Sequence, residues 1–222
     1  ETNDIVIVFN GEIYNYQELK KDLIEKGHVF RNNSDTETLI HSYEEYGEAM
    51  LDRLRGMFAF VIWDGKKKKL FAARDFFGIK PFYYAIVDGQ LVFASEIKSI
   101  LEYTPYKKEI NPLALENYLT FQYSVLPETF FKGIYKLMPS HCLTFENGEL
   151  TIRYWEPVFE PDENVTLEEL TDKIDDAMQA SIKRHKISDV EVGSFLSSGV
   201  DSSYVAACFK GDKTFTVGFD YA

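Results

Sequence analysis

The chain has 222 residues, of which 45% are hydrophobic and 15% aromatic, the make-up of a folded globular protein with room for one large domain or two smaller ones. Its 36 acids outnumber its 24 bases, giving a net charge of −12, which argues against nucleic acid as the main partner because a phosphate backbone is gripped by Lys and Arg. No apolar run reaches the ~18 residues of a membrane helix and no basic-then-apolar leader opens the chain, so no membrane partner is expected.

Taken in order, residues 5–9 (IVIVF) predict a buried strand and Asn10-Gly11 a turn. Asn15 is placed to cap a helix over 16–26 that ends at Gly27, and Ser34-Asp35-Thr36-Glu37 reads as a capping box opening a second helix. Residues 57–64 and 70–74 form strands around Asp64-Gly65, with the basic run Lys66 to Lys69 as a solvated turn. Asp88-Gly89 and Asn147-Gly148 join two more pairs, 82–87 with 90–95 and 142–145 with 150–155. Repeated Asn-Gly and Asp-Gly turns between strands predict antiparallel sheet, so residues 1–157 read as an α+β unit.

The pattern then changes. Residues 156–165 carry two prolines and four acids, and 158–165 read as a linker. Thr166 to Glu169 form another capping box, before a helix with Leu170, Ile174, Ala177, Met178 and Ile182 on one face. A strand (190–196), a small-residue loop, a helix (202–210) and a strand (214–219) follow, a β-α-β order that predicts the start of a parallel α/β domain over 166–222. The chain enters a strand directly after Glu1 to Asp4 and stops on a strand-like run at Ala222, so a piece of a longer protein is expected.

The loop Leu196-Ser197-Ser198-Gly199-Val200-Asp201-Ser202-Ser203 sits at the carboxyl end of the first strand of that unit, where open α/β sheets bind ligands. With no Gly-Lys-Ser/Thr it is not a Walker A loop. Backbone amides, serine hydroxyls and the helix dipole, worth about 0.3–2 kcal/mol per charge, would hold a phosphate there. Asp201 suits a Mg2+ ion bridging to phosphate. The plain alternative is a strand-to-helix turn capped by Asp201 or Ser202. Cys142 and Cys208, like His28, His41, His141 and His185, lie far apart in the sequence without metal or redox spacing. This speaks against zinc and disulfide frameworks and suits a reducing cytoplasm.

Ser197 to Ser203 (SSGVDSS) resembles the pyrophosphate loop, SGGxDS, of the ATP-pyrophosphatase superfamily. Ser198 stands where that family has glycine, which would strain it by about 1 kcal/mol if the position needs a positive φ. NGEIYN (10–15), SDTE (34–37), GMFAF (56–60), RDFFGIKP (74–81), ASE (94–96), YLTFQY (118–123) and Tyr154-Trp155 together resemble, in order, the glutaminase domain of glutamine-dependent asparagine synthetases. The resemblance runs from about residue 5 to the end. It implies an N-terminal-nucleophile αββα sandwich, followed by an adenine-nucleotide-binding α/β domain.

It also implies roles. Asn10 and the Gly11 amide would form an oxyanion hole, and Glu12 and Asp35 would bind the polar end of glutamine together with them. Leu196 and Val217 match positions that contact adenine, Ser197 to Ser203 would hold pyrophosphate, and Asp201 would hold Mg2+. The family's nucleophile is an N-terminal cysteine absent from this chain, and Cys142, on a strand, is no substitute; the 222 residues alone are expected to be inactive. The implied activity is the ATP-dependent conversion of aspartate to asparagine with release of AMP and pyrophosphate, in the cytoplasm. Its partners would be glutamine, aspartate and ATP, with a homodimer allowed. A related amidotransferase with another carboxylate acceptor, and a non-catalytic binding relative, stay open at this point.

Overall fold

The computed structural model describes residues 4–211 and 213–218. The chain divides into two compact units, Glu1–Pro157 and Val158–Ala222.

In the first unit, β1 (Ile5–Ile13), β2 (Gly56–Asp64), β3 (Lys69–Arg74), β7 (His141–Glu146) and β8 (Glu149–Tyr154) form an antiparallel sheet in that order. A smaller antiparallel sheet runs β5 (Gln90–Ala94), β4 (Tyr83–Val87), β6 (Ile134–Lys136). The helices are α1 (Tyr16–Glu25), α2 (Asp35–Tyr46), α3 (Ile97–Leu101) and α4 (Pro112–Phe121), with a 3-10 turn at Gly47–Arg53.

Strand alternation sorts the side chains into layers. On β2, Phe58, Phe60 and Ile62 pack with Leu19 of α1 and with Leu39 and Tyr43 of α2. The intervening Ala59 and Val61 point the other way and pack with Phe82 and Tyr84 at the second sheet. On β4 the next residues, Ala85 and Val87, face Ile100 of α3. The order is therefore helix, sheet, sheet, helix, the expected αββα sandwich. Burying Phe60, Phe71, Ile62 and Leu39, each at most 1% exposed, contributes about 1.5–3 kcal/mol per side chain.

The hairpins close as their sequences require. Asp88 and Asn147 take φ of 50° and 52°, Gly89 and Gly148 of 75° and 84°, the left-handed pair that a two-residue hairpin needs. Val87 accordingly pairs with Gln90 and Glu146 with Glu149. Of the basic run, Lys66 to Lys68 form the solvated turn, while Lys69, half-buried, already belongs to β3 opposite Asp64.

Asp64, 5% exposed, anchors that turn by accepting the amides of Lys66 (3.1 Å) and Lys67 (3.0 Å) and the Tyr43 hydroxyl (3.2 Å). Burial pushes the Asp64 carboxyl up, but the Lys67 amide and ammonium and the Tyr43 hydroxyl outweigh it, so it ionises below the usual range. Burial, then the Asp64 charge, push Tyr43 up to about 12. Because the folded carboxyl titrates below its unfolded value of about 3.9, its stabilisation is complete above that value and is lost as pH falls through the folded one. Urea midpoints of Asp64→Asn are therefore expected to fall less than those of wild type between pH 5 and pH 2. Parallel declines would remove Asp64 as an acid-sensitive anchor.

Several expectations are corrected. Asn10-Gly11 is not a turn: β1 runs straight through it, with Asn10 opposite Ala59 and Gly11 opposite Phe58, because β2 continues the ladder to Gly56. Asn15 makes no cap bond; its amide bridges the Arg53 carbonyl and the Arg55 amide, both at 2.9 Å. Ser34 caps α2, but the Glu37 carboxylate reaches past it to the amides of Arg31 and Asn32. The aromatic cluster Phe76, Phe77, Phe82, Tyr83 and Tyr84 reads in sequence as core packing; Phe82 and Tyr84 are core, whereas Phe77 is 86% exposed. His28 and His41, distant in sequence, touch.

In the second unit, α5 (Leu167–His185) carries the full Thr166/Glu169 capping box. β9 (Ser194–Phe195), α6 (Val200–Phe209) and β10 (Thr214–Phe215) form a parallel β-α-β turn. Both strands are shorter than the predicted 190–196 and 214–219, since among the described residues only this pair supplies each strand with a hydrogen-bonding neighbour. Phe219 lies outside the described residues. α6 starts two residues earlier than expected because Gly199, extended at φ −80° and ψ 153°, takes the N-cap position.

Candidate active site

β1 alternates between two environments. Ile5, Ile7, Phe9 and Ile13 pack toward the helices, so Val6, Val8, Asn10 and Glu12 face the inter-sheet side. The second sheet does not cover that end: Val6 is 52% and Val8 59% exposed. Asn10, Gly11 and Glu12, further along the strand, are half-buried.

Two separated sequence motifs are tied to this strand, at Asn10 and at Ile13. The Asn10 side-chain amide donates to the Ser95 hydroxyl at 3.2 Å, crossing from the first sheet to the end of β5. Asp35, in the first turn of α2, accepts the Ile13 amide through Oδ2 at 3.1 Å. One Asp35 oxygen is thereby tied to β1 while the residue stays half-buried. Tyr14, next along, is pushed above its usual phenol range by burial, then by Glu12 and Asp75. The set offers a fixed amide donor, close backbone and two carboxylates, which suits a small molecule carrying both a polarisable carbonyl and an ammonium group.

Gly11 is demanded by space. A Cβ on it would sit 2.2 Å from the Met57 carbonyl oxygen, and one on Gly56 2.2 Å from the Glu12 carbonyl oxygen. The two backbones therefore approach more closely here than side chains permit.

In the second unit the loop after β9 is knitted by its own hydroxyls. Ser197 Oγ and Ser202 Oγ are 2.8 Å apart, the Gly199 amide donates to Ser197 Oγ at 3.2 Å, and Ser203 Oγ donates to the Gly199 carbonyl at 2.9 Å. The cap makes no side-chain bond, so neither Asp201 nor Ser202 caps the helix, and the first amides of α6 are left to point outward. Ser198 does not take a positive φ, so the strain that serine would suffer there does not arise. Asp201 is exposed in the first turn of α6. Leu196 is half-buried and bonded through its amide to the Phe215 carbonyl at 2.8 Å, while Val200 and Val217 are 85% and 78% exposed. Leu196 to Gly199 thus form the loop and Val200 to Ser203 the first turn of α6.

Sequence reasoning missed a concavity of about 390 Å³ in the first unit, lined by Glu48, Arg74, Phe76, Cys142, Arg153 and Trp155. Only the order of the strands assembles it, and none of the expected site residues lines it. Cys142, packed beneath the helices, has its thiol pushed up by burial, which leaves it protonated and a poor nucleophile near neutrality.

Comparison with known proteins follows this division. Residues 1–156 match the family model "Glutamine amidotransferase domain", and residues 173–222 match "Asparagine synthase". The chain is 43% identical to Asparagine synthetase [glutamine-hydrolyzing] 1 of Bacillus subtilis (strain 168), over 96% of this chain and 34% of that protein. It is 36% identical to Amidase chry2 of Gibberella zeae, over 93% of this chain and 31% of that protein. The chain thus spans about a third of the length of these curated relatives. Among solved structures it resembles the glutamine phosphoribosylpyrophosphate amidotransferase from B. subtilis, at 17% identity and a TM-score of 0.48, covering 97% of this chain and 46% of that one. With seven-tenths of its residues in that model, the chain belongs to the glutamine amidotransferase domain family, and its last fifty residues match the asparagine synthase family.

Proposed function

We propose that this chain forms the glutaminase domain (1–157), a linker (158–165) and the opening of the ATP-binding domain (166–222) of a glutamine-hydrolysing asparagine synthetase acting in the cytoplasm. The observation that carries this is that β1 holds both the Asn10 amide, tied to the Ser95 hydroxyl, and the Ile13 amide, tied to the Asp35 carboxylate, in a chain whose last residues match the asparagine synthase model.

In this reading Asn10 and the Gly11 amide stabilise the oxyanion formed when the glutamine side-chain amide is attacked. Glu12 and the remaining Asp35 oxygen hold the substrate's polar end, the carboxylate pairing with its ammonium. The outward amides of α6 with Ser197 to Ser203 receive pyrophosphate released when ATP activates the aspartate carboxylate. Leu196 and Val217 flank the base. Asp201, an exposed carboxylate beside uncapped amides, fits a Mg2+ ion, which would supply charge neutralisation at the phosphates.

The test uses the full-length protein with MgATP, glutamine and aspartate, products being identified by mass spectrometry. Asparagine, AMP and pyrophosphate in equal amounts are expected. The similarity to Amidase chry2 favours one second reading, an amidotransferase of the same architecture with another acceptor. Glutamate formed without asparagine or AMP would select it, and no turnover with any nucleotide would leave a binding module.

A further inference from the structure

Three side-chain atoms converge on one point between α2 and the segment leaving α1, away from the site above. His28 Nδ1 lies 3.2 Å from His41 Nδ1, His41 Nδ1 lies 2.7 Å from Glu44 Oε2, and His28 Nδ1 lies 3.8 Å from the same oxygen. We propose that His28, His41 and Glu44 bind a divalent transition-metal ion, of which Zn2+ is the natural occupant.

Hydrogen bonding alone does not satisfy this triangle. A neutral imidazole has one N–H, so each Nδ1 is a donor or an acceptor. If His41 Nδ1 donates to Glu44, His28 Nδ1 faces a proton already used; if it accepts from His28, its lone pair faces a carboxylate at 2.7 Å. If both Nδ1 atoms carry protons, two N–H groups meet head to head. A cation satisfies all three lone pairs at once. The point equidistant from the three atoms lies about 1.9 Å from each, so an ion slightly out of their plane takes the ~2.0–2.2 Å distances of zinc to His and Glu.

The outer nitrogen of His28 supports the same reading, lying 3.3 Å from Glu45 Oε2, whereas His41 Nε2, at 3.9 Å from Glu37 Oε1, is beyond hydrogen-bond reach. A carboxylate at the far nitrogen fixes ring orientation and raises ligand basicity, the usual surrounding of a metal-bound histidine. Phe30 closes one side, edge-on to His41 at 4.6 Å between centroids. The two imidazoles and one carboxylate suit zinc better than calcium or magnesium, which prefer oxygen, and leave a fourth position for water. Such an ion would pin residue 28 to α2 and so brace the segment entering Asp35.

The test is a titration of the metal-stripped 222-residue chain with Zn2+ against a chromophoric chelator, with Co2+ as a visible-absorbing substitute. One equivalent of zinc, a tetrahedral Co2+ spectrum and a higher melting temperature with zinc are expected. His28→Asn, outside any helix, and His41→Asn should each lose the tight equivalent, and Glu45→Gln should weaken it about 10- to 100-fold. Melting of the metal-free variants checks that they fold. Absence of stoichiometric uptake by folded wild type, or equal uptake by the folded His28→Asn variant, overturns the proposal.

Discussion

Asp75→Ala is expected to unfold the first unit or bring it to the edge of unfolding. Asp75 is 1% exposed, and its carboxylate accepts four backbone amides: Phe58 (3.2 Å) and Lys80 (3.0 Å) at Oδ2, Phe77 (3.1 Å) and Ile79 (2.9 Å) at Oδ1. Its neighbour Arg74 works on the complementary groups, donating to the carbonyls of Lys80, Leu137 and Gly78 at 2.6–2.7 Å. One carboxylate and one guanidinium thus fold the 75–81 loop and tie it to β2 and to the end of β6. Alanine leaves the four amides without this acceptor. At about 1–3 kcal/mol for each donor that water cannot reach, the loss is on the order of 5 kcal/mol, against a total stability of about 5–15 kcal/mol. Asp75→Asn should fall close to alanine, since its amide group would face two amide donors. Urea unfolding followed by Trp63 and Trp155 fluorescence measures this, and a change below about 1 kcal/mol would show that the loop keeps its shape by other means.

In sequence the adjacent Arg74-Asp75 pair reads either as an ion pair holding a catalytic loop or as a strand-end salt bridge, with a structural role favoured. The structure keeps the structural role but changes its chemistry: both side chains serve backbone groups, a fact set by the path of residues 75–81 and 137–140 that no local pattern encodes. What was legible was local. Asp88-Gly89 and Asn147-Gly148 dictate their turns because few other residue pairs accept two positive φ values. Ser34 and Thr166 announce helix starts for an equally local reason. The αββα order rested on resemblance, and it becomes visible as physics only when alternate residues of β2 and β4 are assigned to different cores. The sequence carries little signal for α3 and α4. Leu113, Leu119 and Phe121 of α4 are 51–73% exposed, so no burial periodicity marks that helix, and only Pro112 in its first turn signals it. At the site, the motif order named Asn10 and Asp35, but the Asn10–Ser95 bond spans 85 residues and needed the sheet-to-sheet packing to appear.

Gly11→Ala and Asn10→Ala, one residue apart, are expected to fail in opposite ways. The alanine Cβ at Gly11 would lie 2.2 Å from the Met57 carbonyl oxygen and 2.8 Å from Phe58 Cα. Both atoms are backbone of β2, which is held on its other edge by β3, so neither can give way locally. Relief requires parting β1 from β2 around the Gly11–Phe58 pair, where Phe58 is core. The cost is about 3 kcal/mol, the upper end for overpacking, read as a lower urea midpoint in the 222-residue chain. Asn10 is half-buried and among the described residues its side chain makes one hydrogen bond, to Ser95, so its truncation should change stability by no more than about 1 kcal/mol. On the function proposed above, however, Asn10→Ala in the full-length protein should lower glutamine hydrolysis about 10²- to 10³-fold in kcat, the usual effect of losing one oxyanion donor. Ser95→Ala, which frees the Asn10 amide without removing it, should lie between that variant and wild type in kcat, with unchanged stability. Full glutaminase activity in Asn10→Ala would take Asn10 out of the chemistry and leave it a sheet-to-sheet tether. An unchanged midpoint in Gly11→Ala would mean that β1 lies farther from β2 than this ladder allows.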